Sequence, residues 1–263
     1  MPHRAKKRLG QNFLVDSNVI AKIIDSVNPH DQDHIIEIGP GLGALTRPLL
    51  QRVDRLDVIE LDRDLLPELR KLDVHDKLCV HHIDVLEFDF TRFRQSNFAH
   101  DKLRLIGNLP YNISTPVLFQ LMNHRASIQD MHFMLQKEVV ERMCAGVGAH
   151  DYGRLSVMMQ LHFETIPLFT VAAECFKPIP KVESAVVRLI PRVDLAIAND
   201  HLADFSGLVR QAFSQRRKTL KNTLKGLCDS NMLEAAGIDS SKRPQQLSVH
   251  EFIALFRQFS RNT

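Results

Sequence analysis

The chain has few cysteines, no long apolar run and little net charge, and each shortage removes a class of protein. Its four cysteines, Cys79, Cys144, Cys175 and Cys228, lie far apart and form no CxxC pair. That usage argues against a disulfide scaffold and for a reduced, cytoplasmic protein with inert thiols. No apolar stretch approaches the roughly 20 residues needed to span a bilayer, so no membrane association is expected. The basic start, Met1 to Arg8, is followed by no apolar segment, and no secretory signal is expected. Thirteen histidines are present, but none forms HExxH or pairs with a cysteine at ligand spacing. His81 and His82 would alternate across a strand, so no metal site is expected.

What is present is the composition of an ordinary folded domain. The 263 residues are 44% hydrophobic and 25% charged, enough for one large α/β core and a small additional domain. The formal charge of +3 is unevenly placed. From His201 to Thr263 there are ten basic residues against five acidic ones, whereas the preceding residues hold 24 basic and 26 acidic groups. A second basic cluster, Arg4, Lys6, Lys7 and Arg8, lies near the start. Charge distributed in this way suits a polyanionic partner, with a solvated helical face as the alternative.

Along the chain, Gly10-Gln11-Asn12-Phe13-Leu14 alternates amides and apolar residues without a period and reads as a loop that closes over a ligand or simply as a turn. Asp16-Ser17 then caps a helix whose apolar stripe runs Val19, Ile20, Ile23, Ile24, Val27 and stops at Asn28-Pro29. Ile35 to Ile38 is a buried strand that runs into Gly39-Pro40-Gly41-Leu42-Gly43, with a helix beginning near Ala44. A strand, a glycine-rich turn and a helix start form a nucleotide-binding crossover, in which glycines admit a close ligand. The same spacing satisfies GxGxxG/A, so a nicotinamide enzyme is a rival reading. A second strand, Leu56 to Leu61, ends in Glu60-Leu61-Asp62, and an acid there can bind both ribose hydroxyls. A third, Leu78 to Ile83, ends at Asp84, which fits either an adenine amine or a turn opening at the surface.

The fourth strand, Leu103 to Ile106, leads to Asn108-Leu109-Pro110-Tyr111 and a helix start at Asn112 to Pro116. An amide oxygen and a carbonyl beside proline's fixed φ can accept the hydrogens of an exocyclic amine, while the tyrosine ring stacks on the base. Taken alone, the tetrapeptide also fits a proline-stiffened turn. Its weight comes from position, because Gly39, Glu60, Asp84 and Asn108 close consecutive strands where open α/β sheets bind ligands.

Further on, Met131 to Leu135 reads as a strand, Lys137 to Met143 as a helix and Leu155 to Phe163 as a long strand. Phe176 to Val182 carries two prolines that would display the Phe176 ring opposite Tyr111, with a core phenylalanine as the alternative. Ala185 to Ile190 reads as the last strand and Pro191 to Asn199 as a linker. Beyond it the periodicity is helical. One helix bears Leu220, Leu224 and Leu227, with Arg217, Lys218, Lys221 and Lys225 beside that stripe and Arg216 just before it, a basic ridge suited to phosphates.

Together the GQNFL, EIGPGLG and ELD segments, Gly107 to Ser114, Gln136 to Val140, Phe176 to Val187 and Gln215 to Thr219 resemble the ribosomal RNA adenine dimethyltransferases, and most closely the small-subunit enzymes of the kasugamycin-resistance type. The resemblance covers nearly the whole chain. It implies a Rossmann-like class I methyltransferase sheet with helices on both faces over residues 1–191, and a small all-α RNA-binding domain over residues 200–263. It implies S-adenosylmethionine as cofactor, with S-adenosylhomocysteine as product, and dimethylation of two adjacent adenosines near the 3′ end of small-subunit ribosomal RNA. By motif, Asn12 and Leu14 cover the cofactor, and Gly39 and Gly41 admit its amino-acid part. Glu60 takes the ribose hydroxyls, Asp84 faces the adenine amine, and Asn108 stands between cofactor and target. Leu109, Pro110, Tyr111 and Phe176 join Asn108 in the catalytic set, and Arg216, Arg217, Lys218 and Lys221 bind RNA. The expected partner is small-subunit RNA in a partly assembled particle, bound by a monomer. A large-subunit adenine methyltransferase and a non-catalytic assembly factor on the same fold are the alternatives.

Overall fold

The computed structural model describes residue 6 and residues 9–73, 75–98 and 101–260. Nine strands are formed among them: β1 (Phe13–Leu14), β2 (His34–Ile38), β3 (Leu56–Ile59), β4 (Leu78–His81), β5 (Leu103–Asn108), β6 (Ile128–Gln136), β7 (Phe163–Val171), β8 (Phe176–Lys177) and β9 (Ser184–Pro191). Seven of them build one sheet in the order β4-β3-β2-β5-β6-β9-β7, and β1 pairs separately with β8. From β4 to β6 every pairing is parallel, and β9 runs antiparallel to β6. Because the chain winds outward from β2 in one direction and from β5 in the other, right-handed crossovers place helices on both faces.

The first helix shows how the local sequence sets an element. The Asp16 carboxylate accepts from the backbone N–H of Asn18 and Val19, Ile23, Ile24 and Val27 are buried, and Asn28 closes the helix at φ 47°. Its apolar stripe packs into a core that includes Ile35, Leu49, Leu56, Val58, Ile106 and Met134. The isoleucines of β2 are buried along the whole strand, as a parallel interior strand requires. Gly107 allows β5 to lie close against β2, since a Cβ there would sit 2.4 Å from the Ile38 carbonyl oxygen. A buried ion network supports the opposite end of the sheet: Arg104 on β5 donates to both oxygens of Asp130, to Asp33 and to the Val27 carbonyl.

Two compact units result, residues 1–140 with 166–191, and residues 141–165 with 192–263. One division falls after Pro191, and residues 141–165 group with the C-terminal helices instead of residues 1–140. The segment expected as a strand from Leu155 to Phe163 is a helix, Arg154–His162, buried on nearly all sides. Its polar residues Ser156 and His162 are buried along with the apolar ones, so the sequence shows no clear period to separate the two forms. Within this unit Ser156 Oγ donates to the Arg142 carbonyl at 2.5 Å. Tyr152 meets Phe213 edge-on, and Phe205 and Phe256 pack at 5.6 Å between ring centroids. The helix expected to carry Leu220 to Leu227 is also shorter than its periodicity implied, ending at Thr223.

Candidate active site

The sheet reverses its winding between β2 and β5, and an open cleft lies at the carboxyl ends of these strands, where ligands bind in such sheets. Its empty space, open solvent at the mouth included, is about 1110 Å³. Asn12, Leu14, Gly39, Gly41, Glu60, Asp84, Asn108, Leu109, Pro110 and Tyr111 all line it, so one cavity gathers residues spread over a hundred positions of sequence.

Gly39 and Gly41 adopt φ of 68° and 57°, a conformation other residues rarely take. A Cβ at Gly41 would also come within 3.0 Å of the Phe13 ring. The turn is thus shaped to bare its backbone, and Phe13 closes over it. Glu60 is held from behind. Its Oε1 accepts from the Asp62 N–H at 2.8 Å and its Oε2 from the Gly41 N–H at 3.3 Å. Burial raises the Glu60 pKa, and those backbone donors oppose the rise. Each oxygen keeps lone-pair capacity for a pair of hydroxyl donors. Asp84 lies half-buried at the end of β4, where one oxygen caps the turn Val85–Glu87 by accepting from Leu86 N–H. The turn-capping role and a place in the cleft lining therefore coexist in one residue.

Asn108 carries the most specific geometry. Its Nδ2 donates to the Asn12 carbonyl at 2.9 Å, which fixes the plane of the amide and leaves Oδ1 as an acceptor. The Leu109 N–H is tied to the Met134 carbonyl, and the Pro110 carbonyl accepts from Ile113 N–H at 3.1 Å. Among the described residues the Leu109 carbonyl accepts no hydrogen bond, and the Pro110 carbonyl keeps its second lone pair, so both offer a further acceptor beside Asn108. The half-buried Tyr111 ring is pinned by its hydroxyl, 2.7 Å from Ser184 Oγ, and burial raises its pKa.

Three placements differ from the sequence reading. Phe176 is fully buried in the core beside Leu14, its partner in the β1–β8 pair, and does not line the cleft; the core alternative describes it. Arg216, Arg217 and Lys218 stand on a turn before the short helix Leu220–Thr223, which carries Lys221. All four are exposed, and among the described residues none forms an ion pair, so the ridge is a cluster at a turn instead of a helical flank. Finally, Asp57, Cys79 and His81 bring donor atoms within 4.8 Å of one another across β3 and β4, a juxtaposition that spacing along the chain does not reveal. Arg55 donates twice to the Asp57 carboxylate, and His81 Nε2 lies 2.7 Å from Asp57 Oδ1, so this group is already engaged internally.

Several further residues belong to the site. Glu37 lines the cleft from inside β2, with Thr46 Oγ1 donating to it at 2.7 Å, and burial pushes its pKa up to about 8. An acid inside the run Ile35-Ile36-Glu37-Ile38 was its signal. Asp62 accepts from Lys6 Nζ at 2.5 Å and from Gln11 Nε2 at 3.0 Å, tying the GQNFL loop to the chain beside Glu60. Burial pushes the Asp62 carboxyl up, but these donors outweigh it and hold it below the ordinary range. Arg4, Lys7 and Arg8 of the basic start lie outside the described residues.

Comparison with known proteins gives the family and fold of the chain. The family model described as "Ribosomal RNA adenine dimethylase" matches residues 2–261. A Pseudomonas putida protein named "Ribosomal RNA small subunit methyltransferase A" is 51% identical over 260 residues, 98% of this chain and 96% of that protein. A Vibrio parahaemolyticus protein of the same name is 48% identical, over 96% of this chain and 93% of that protein. Among solved structures, a dimethyladenosine transferase from Plasmodium falciparum is similar at a TM-score of 0.81 and 27% identity, covering 95% and 98% of the two chains. The 23S rRNA methyltransferase ErmE is similar at 0.73 and 25% identity, covering 95% and 100%.

Proposed function

Belonging, as it does, to the ribosomal RNA adenine dimethylase family, the chain is an enzyme for which we propose this reaction: transfer of methyl groups from S-adenosylmethionine to the exocyclic amines of two adjacent adenosines near the 3′ end of small-subunit ribosomal RNA. The observation that carries this reading is the Asn108 amide, locked by the Asn12 carbonyl so that Oδ1 is an acceptor at the switch point of the sheet. The cofactor fits the cradle: Gly39 and Gly41 bare the backbone, Glu60 offers a carboxylate to the ribose hydroxyls, and Asp84 keeps an oxygen for an adenine amine. Bound there, it supplies a methyl group activated on a sulfonium.

The chain's residues act on the target amine. An adenine amine is a weak nucleophile because its lone pair is delocalised into the purine. Asn108 Oδ1 and the Leu109 carbonyl accept its two hydrogens, draw the nitrogen toward a pyramidal shape and aim its lone pair. Tyr111, pinned through Ser184, holds the extruded base by its face in a near-attack pose. The alkylated nitrogen is acidic and releases its proton to water, so no dedicated base is required. After one transfer a single hydrogen remains, and one acceptor suffices for the second.

Arg216, Arg217, Lys218 and Lys221 provide unpaired positive charge for phosphates. The proposed substrate is the RNA within a partly assembled small subunit, met by a monomer in the cytoplasm; no described helix is long and apolar enough to cross a membrane. The test is incubation of labelled S-adenosylmethionine with unmodified small subunits and, separately, large subunits, followed by mapping of the label. Two adjacent labelled adenosines in small-subunit RNA are expected. Label on large-subunit RNA, or none from a chain that binds S-adenosylhomocysteine, would overturn the reading.

A further inference from the structure

With Phe176 in the core, the proline-braced segment that follows it is left without a role, and its exposed side chains are unusual. Ile179, 64% exposed, lies between the exposed Lys177 and Lys181, and Val182, just after Lys181, is 46% exposed. Among the described residues neither lysine forms an ion pair. The segment is built firmly for a surface loop. At its start Lys177 pairs with Phe13 and Phe176 with Leu14. At its end the Glu183 carbonyl accepts from Lys137 N–H at 3.0 Å, and the Glu183 carboxylate lies 2.9 Å from Lys137 Nζ. The next residue, Ser184, holds the Tyr111 hydroxyl. Pro178 and Pro180 fix two φ angles between these anchors. The loop thus rises from the two aromatic residues of the cleft, Phe13 and Tyr111, and presents Ile179 to water between two lysines, with Val182 directly after the second.

We propose that the Lys177–Val182 loop is a seat for the single-stranded nucleotides flanking the target adenosine. The inference rests on the methyl-transfer reading above. Extracting a base from its stack exposes the faces of its neighbours. Ile179 and Val182 cover those faces, and Lys177 and Lys181 take the adjoining phosphates. Paired apolar and cationic groups match the alternation of base and phosphate in a single strand. An apolar protein surface would leave both lysines without partners.

The test uses the full-length chain and a short RNA hairpin with single-stranded flanks around two adjacent adenosines. One variant carries Lys177→Glu and Lys181→Glu, and another Ile179→Ser and Val182→Ser. Fluorescence anisotropy gives RNA affinity across a salt series, and calorimetry of S-adenosylhomocysteine binding reports an intact fold. Each variant is expected to bind RNA roughly tenfold more weakly with cofactor affinity unchanged. The lysine variant is also expected to lose about 1.4 from the slope of log affinity against log salt, at about 0.7 for each single-strand phosphate; the apolar variant keeps the wild-type slope. Unchanged RNA affinity in both variants, with normal cofactor binding, would overturn the loop's role alone. So would a defect seen only with intact particles, because that result assigns the loop to a particle protein. A wild-type chain that methylates no ribosomal RNA would overturn the functional reading, and this proposal with it.

Discussion

Replacing Glu37 by glutamine isolates what it costs to bury an acid in the middle of β2. The carboxyl is enclosed on all sides; burial is the main cause that raises its pKa from 4.5 to about 8, the Thr46 hydroxyl opposes the rise, and the nearby Glu60 charge adds to it. Between those two values the folded chain binds a proton that the unfolded chain has released, so stability falls as pH rises. At about 1.4 kcal/mol for each tenfold change in proton affinity, the full window amounts to roughly 5 kcal/mol. Glutamine keeps an oxygen for Thr46 and carries no titration. The two proteins are expected to be about equally stable near pH 4.5 and to diverge in the variant's favour by roughly 4 kcal/mol near pH 8. Equilibrium urea unfolding followed by circular dichroism across that range measures the difference. A difference that stays flat, or that grows toward low pH, would refute the reasoning.

Three other substitutions test separate parts of the structure. Asn108→Ala removes one acceptor and is expected to lower methyl transfer by at least about 100-fold while S-adenosylhomocysteine affinity, read by calorimetry, stays within roughly tenfold; wild-type turnover would remove the central role given to the amide. Gly107→Ala forces β5 away from the Ile38 carbonyl and should cost about 3 kcal/mol of stability, visible as a lowered urea midpoint. Arg104→Met strips buried Asp130 of its principal partner and is expected to cost about 3–5 kcal/mol near neutral pH. Burial pushes the Asp130 carboxyl up, and Arg104 overrides it and holds it down, so its contribution is present above the unfolded pKa and lost as pH falls. The deficit of Arg104→Met should therefore hold down to the ordinary carboxylate value of 3.8 and shrink only at lower pH, and a deficit that grows on acidification would contradict the assignment.

The residues that were legible in sequence are those whose function depends on where a strand stops. Gly39, Glu60, Asp84 and Asn108 each follow or close a short apolar run, and the structure gathers all four in one cleft. The helix Ser17–Val27 was legible for a similar reason, since its cap and stripe are local. Features set by distant packing were not. Arg154–His162 is buried on nearly every side, with Ser156 and His162 buried among its apolar residues, and so shows no clear helical period. The β7 strand contains Pro167, which argues against a strand in sequence; at the margin of the sheet its missing N–H is tolerated. Phe176 sits beside an exposed, proline-rich loop, but its own burial is decided by Leu14, far away in sequence. The ridge residues were correctly marked as cationic, while the short helix that follows them could not be measured from a leucine repeat alone. The Asp57–Cys79–His81 group needed the register of β3 on β4.

The bond between Asn108 Nδ2 and the Asn12 carbonyl has one more consequence. A free asparagine can rotate by half a turn and exchange acceptor for donor, and so greet an amine or a carbonyl equally well. Here rotation would set the amide oxygen against the Asn12 oxygen, and the exchange is closed. A purine bearing a carbonyl at the position where adenine bears its amine would meet lone pairs on both sides of the pocket. On the proposed reading, guanine and hypoxanthine would be turned away by repulsion, before any question of their reactivity arises.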